Sequence, residues 1–163
     1  MKKRIFSGIQ PTGHLHLDNY LGAVRQWVAL QEEYACLFCI ADLHAITTFQ
    51  EPARLQATIR EVAALLVAAG IDPARSPLFV QSHVSAHAEL AWLLTCVIPM
   101  GWLQRMTQYK SKAAQGQPHV SVGLFAYPAL MAADLLLYAP QYVQMPAEGR
   151  EMGVGPLSRP LCG

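Results

Sequence analysis

The sequence predicts an α/β fold on a parallel sheet with right-handed crossovers. Two observations predict it. Short apolar runs alternate with stretches of helical periodicity, in the order strand–helix–strand–helix–strand. The residues just past the first three runs, at 10–19, 42–44 and 81–83, are all polar. Ligands of parallel sheets sit at those strand ends. Bulk properties agree. A length of 163 residues is enough for one domain with a real core, and 53% hydrophobic against 14% charged residues reads as globular. A formal net charge of +1 excludes a strongly basic protein that coats nucleic acid, while leaving room for a local basic patch.

The elements follow in order. Arg4–Ile9 is the first strand and residues 11–13 (PTG) a turn. Residues 19–33 place Tyr20, Val24, Trp27 and Val28 at helical spacing. Residues 34–41 are a continuous apolar run and a buried strand. Pro52 opens a helix to residue 69, with Leu55, Ile59, Val62 and Leu66 on one face and Gly70 as its C-terminal cap. A turn at 71–76 leads to a short strand at 78–81. Ser82 or Ser85 then opens a helix to about Met106, kinked at Pro99 and Gly101. Residues 123–140, GLFAYPALMAADLLLYAP, have the length of a short membrane span but carry Pro128 and Asp134 centrally. A central carboxylate costs about 2.5–3.5 kcal/mol or more in a bilayer. A buried helix with one functional acid is the better reading. The start, MKKRIFSG, has too little apolar sequence for a signal peptide.

Chemistry-bearing residues cluster at few places. Cys36 and Cys39 are three apart on a strand, so they point to opposite faces. No second pair completes a zinc site, so they read as core, in keeping with a reducing cytoplasm. His83 and His87, four apart in HVSAH, read as exposed imidazoles at a helix start rather than a metal clip. The stretch PTGHLHLDNYLGA, residues 11–23, stays open between three readings. A turn between a first strand and a first helix suits phosphate, with His16 and Asn19 donating from the rim. Asp18 is equally a good helix N-cap. A metal site would need His44 beside His14 and His16. Neither G-x-G-x-x-G nor G-x-x-x-x-G-K-[ST] is present.

FSGIQPTGHLHLDNYLGA resembles the amino-terminal signature of the tryptophanyl-tRNA synthetases, a class I family, with His16, Leu17, Asp18 and Asn19 as its HIGH-like motif. The likeness continues through CLFCIADLHAIT, GIDPARSPLFVQSHV, MGWLQRMTQYKSKA and GLFAYPALMAADLLLYAP, covering about residues 4–143. It implies a Rossmann-like parallel sheet with helices on both faces, in an incomplete class I catalytic domain at 1–143. It also implies a tryptophan–tRNA ligase that makes tryptophanyl-adenylate from L-tryptophan and ATP with Mg2+, then charges tRNA(Trp). By the same resemblance Gln10, Thr12, Gly13, His16, Asp18 and Asn19 would line the ATP side, and Lys112 would reach the triphosphate. His16, Asn19 and Lys112 would be the catalytic set. Phe6, His44, Tyr127, Met131 and Asp134 would bind the amino acid, with Met131 and Phe6 on the ring and Tyr127 at the amino group. Asp134 would choose the substrate, since a buried carboxylate needs a donor and an indole N–H is a donor only. The family implies a cytoplasmic homodimer without a protein metal site, with the apolar stretch 90–103, carrying Trp92 and Trp102, as its interface or as core.

Two departures from the family stand out. The third position of the HIGH-like motif is normally glycine and here is Asp18, whose side chain would crowd the adenosine and whose charge would repel phosphate. After LLLYAPQYV the chain reads QMPAEGREMGVGPLSRPLCG in place of a PVGEDQ-like segment, a KMSKS loop and an anticodon-reading helical domain. This tail, 144–163, has no apolar periodicity and is expected to be loop or disorder at a truncated or frame-shifted gene end. The alternative function is then an inactive fragment that binds tryptophan, or ATP weakly, without aminoacylation.

Overall fold

A computed structural model describes residues 2–12, 24–105, 121–144 and 155–156. Four parallel strands form the sheet: β1 (Arg4–Ile9), β2 (Ala35–Ile40), β3 (Leu78–Val80) and β4 (Tyr142–Gln144). The two-residue β5 (Gly155–Pro156) adds antiparallel to β4, giving the order β3-β2-β1-β4-β5. Part of the segment expected to be loop therefore extends the sheet edge. Register is fixed by pairs such as Ile5 with Cys36 and Ile40 with Val80.

Strand alternation separates two faces. Ile5, Ile9, Cys36, Phe38 and Ile40 point to one side. There they meet Val24 and Trp27, before and within α1 (Arg25–Glu33), and Val62 and Leu66 of α3 (Pro52–Ala68). Trp27 stacks on Phe38 with ring centroids 4.9 Å apart. Phe6 and Cys39 point to the other side, where Phe6 stacks on Tyr138 of α6 (Val122–Tyr138). Helices therefore cover both faces. The short helix α2 (Asp42–Ala45) follows β2 directly.

The helix ends follow local chemistry. Glu51 caps α3 by accepting from the amides of Ala53 and Arg54. Gly70 closes it at φ +111°, and the Ile71 amide bonds Leu66 O as in a Schellman motif. The expected kinked helix from Ser82 or Ser85 to Met106 is two helices, α4 (Ala86–Val97) and α5 (Met100–Arg105). Pro99 bars helical geometry at Ile98, which is extended at ψ 125°. Residues 81–83 form a 3-10 turn, and Ser85 takes the N-cap position without a side-chain bond. Helix α4 packs along α6, the long apolar helix foreseen around Asp134. Among the described residues no helix is long and apolar enough to cross a membrane.

Candidate functional site

The strand ends converge on one carboxylate. Asp134 is 6% exposed, on the face of α6 turned to the sheet. His44, on α2 just past β2, donates from Nε2 to Asp134 Oδ2 at 2.7 Å. Gln81, just past β3, donates from Nε2 to Oδ1 at 2.8 Å. His87, at the start of α4, donates from Nδ1 to Oδ1 at 2.6 Å. Its Nε2 is hydrogen-bonded to the Tyr138 hydroxyl at 2.8 Å. An ionised carboxylate is acceptor-only, so both histidines must present N–H to it. Behind them Asp42 joins the ends of β2 and β3, its Oδ1 accepting from the amides of Leu43 and Ser82.

Electrostatics follow from this geometry. Burial works against the charge of Asp134, the largest single effect. The bonds from His44 and His87, the attraction of His44 and the Gln81 bond together outweigh it, and the carboxyl titrates below its ordinary value. Burial and the charge of Asp134 push the Tyr127 phenol up. Three lone-pair positions of the carboxylate are taken, two on Oδ1 and one on Oδ2, which leaves one acceptor position on Oδ2. His44 Nδ1 and Gln81 Oε1 are buried polar atoms with no hydrogen-bond partner among the described residues. Polar groups of a ligand would complete this set.

The expected amino-acid-binding residues lie together. Tyr127 packs edge-on to His44 with centroids 5.3 Å apart, and its hydroxyl donates to Met131 Sδ at 3.4 Å. Phe6 is buried and lies 5.1 Å from the Tyr138 ring. On the nucleotide side Gln10 and Thr12 are exposed beyond β1. Thr12 borders a cleft of about 320 Å³ shared with Glu51, Arg54 and Thr58, and none of the five amino-acid residues lines it. Gly13, His14, His16, Asp18, Asn19 and Lys112 lie outside the described residues.

One expectation is corrected. His87 is wholly buried rather than an exposed imidazole, because Asp134 and Tyr138 of the neighbouring helix occupy both ring nitrogens. His83, four residues back, is exposed. Among the described residues no group of three His, Cys, Asp or Glu could hold a metal, and His44 Nε2 is committed to Asp134. Sequence reasoning also missed Tyr138. Its signal was present: Asp134 and Tyr138 are four apart on one helix and share a face.

The chain is similar to known proteins over most of its length. A family model described as tRNA synthetases class I (W and Y) matches residues 1–145. The tryptophan–tRNA ligase of Caldanaerobacter subterraneus subsp. tengcongensis is 60% identical over 141 residues, covering 86% of this chain and 43% of that protein. That of Gloeobacter violaceus is 57% identical over 149 residues, covering 91% and 44%. Among solved structures, tryptophanyl-tRNA synthetase from Campylobacter jejuni, complexed with ADP and tryptophan, superposes with a TM-score of 0.82 at 43% identity, covering 86% and 44%. The Mycoplasma pneumoniae enzyme gives 0.83 at 39%, covering 91% and 44%. The chain spans less than half the length of these relatives.

Proposed function

The chain belongs to the class I tRNA synthetases of the tryptophan and tyrosine group, and on that premise we propose that it is the amino-terminal catalytic portion of a tryptophan–tRNA ligase. Residues 1–143 form that portion and 144–163 a divergent tail. The observation that carries the substrate is Asp134, ionised, buried and gripped so that one acceptor position remains. An indole N–H fills one acceptor and asks for nothing back. Phe6 and Met131 flank the ring, Tyr127 meets the amino group, and His44 sits beside the pocket.

The reaction is attack of the tryptophan carboxylate on the α-phosphorus of ATP. A new P–O bond forms, the bond to pyrophosphate breaks, and tryptophanyl-adenylate results. The adenylate then passes its tryptophanyl group to a hydroxyl of tRNA(Trp), forming an ester and releasing AMP. Such chemistry needs positioning and charge neutralisation rather than a covalent protein intermediate. Gln10, Thr12, Gly13, His16, Asp18 and Asn19 border the ATP, and His16, Asn19 and Lys112 act on its phosphates. Mg2+ arrives on those phosphates rather than on a protein site. Free, buried Cys36 and Cys39 support a reducing cytoplasm, and burial pushes the Cys36 thiol up to about 11. Exposed Trp92, Val97 and Trp102 in the stretch 90–103 support a homodimer.

Asp18 favours a second reading, a module that binds tryptophan without activating it, because a carboxylate beside phosphate is repulsive. Tryptophan-dependent ATP–pyrophosphate exchange on the purified chain separates the two. Exchange is expected, and it should disappear in Asp134→Ala. No exchange alongside retained tryptophan binding would leave the binding module.

A further inference from the structure

We propose that His87, held by Tyr138, is a positioning residue for substrate choice: it turns the Asp134 carboxylate so that Oδ2 alone offers an acceptor to the indole N–H. The inference rests on the reading of Asp134 as the group that meets the indole. His87 has no exposed surface and both its ring nitrogens are engaged. The bond to Oδ1, at 2.6 Å, is the shortest of the three that Asp134 accepts. Ionised Asp134 demands a proton on Nδ1, and a neutral imidazole then presents Nε2 as an acceptor that the Tyr138 hydroxyl matches as donor. Tyr138 is held in turn by its stack on Phe6, with rings 13° from parallel.

This makes a closed circuit across two packed helices. Asp134 and Tyr138 stand one turn apart on α6, and His87 of α4 bridges them. Gln81 and His87 saturate Oδ1, so the carboxylate cannot exchange its two oxygens without breaking those two bonds and the one from His44. Without His87 it could rotate, share Oδ1 with a ligand and lose its single direction of recognition. His87 bonds the carboxylate that meets the indole N–H, so its effect should follow that N–H.

The test is calorimetric binding of L-tryptophan and of 3-benzothienyl-L-alanine, in which sulfur replaces the indole N–H. The 163-residue chain is expected to prefer tryptophan by about ten- to a hundredfold. His87→Leu should cut that preference to about threefold or less while leaving the analogue's affinity nearly unchanged. His87→Asn, whose amide N–H can stand where Nδ1–H stood, should keep most of it. Tyr138→Phe retains the stacked ring and should lose part. Equal weakening of both ligands in His87→Leu, or an unchanged preference, overturns the inference while leaving the reading of Asp134 intact. If His87→Leu does not fold, Tyr138→Phe decides in the same way. A parent chain with no preference, or with no tryptophan binding, overturns the reading of Asp134 and this inference with it.

Discussion

Asp134 is where a single residue's chemistry can be read against pH. Its carboxyl titrates below the ordinary value because the donors from His44, His87 and Gln81 outweigh its burial. A folded-state pKa lower than the unfolded one adds stability that is fully present above the unfolded value, about 3.9, and is lost as pH falls through the folded value. Urea unfolding of the parent and of Asp134→Asn should therefore differ by a constant amount, about 1–3 kcal/mol, from neutral pH down to about pH 4. The gap should narrow only below that. A gap that already shrinks between pH 7 and pH 5 would mean that a histidine, and not the carboxyl, controls the cluster. The sequence marked Asp134 as an acid in an apolar helix that needed a partner. It did not reveal that the chain supplies three partners of its own. His44, Gln81 and His87 lie 90, 53 and 47 residues away, and no local period reports such a meeting.

Among the elements, two helix ends make opposite predictions. Gly70 closes α3 at φ +111°, and a Cβ there would stand 3.3 Å from Val28 Cγ1. Gly70→Ala should lower stability by about 1–2 kcal/mol, through backbone strain and that contact. Ala139 ends α6 in the left-handed region, at φ 40° and ψ 54°, with a side chain where glycine is the easier residue. Ala139→Gly should raise stability by about 0.5–1 kcal/mol, relief of strain exceeding the added chain entropy. Thermal unfolding of both variants checks the pair, and the same sign for both would refute the account. Gly70 as a cap was legible because a glycine after an apolar helical period is a local signal. The split at Pro99 was legible only as a kink. The residue type shows that the helix is disturbed, but whether α5 continues α4 depends on what each packs against.

At the scale of the molecule, the side of α4 and α5 away from the sheet is apolar and open. Trp92 is 69% exposed, Val97 73% and Met100 63%. With the homodimer proposed above, sedimentation velocity on the chain at micromolar concentration should give a dimer, and Trp92→Glu should shift it to monomer by burying a charge in the interface. A parent that sediments as a monomer would remove the dimer reading. The stretch 90–103 left core and interface equally open in the sequence, because both are apolar at helical spacing. In the structure Leu103 is 5% exposed and belongs to the core, while Trp102 is 57% exposed.

By itself the sequence determined the α/β order, the strand ends as the place for polar chemistry, and Asp134 as an acid that burial would make costly. Each is a local property: the periodicity of apolar residues, a cap, a lone charge in an apolar run. Only the tertiary structure decided that His87 is interior, that Tyr138 completes the circuit to Asp134, and which lone pair of the carboxylate remains. These depend on the packing of α4 against α6 and on the approach of β2 and β3 to the same point. Hydrogen-bond directions are set by such long-range contacts, and sequence spacing along one element does not carry them.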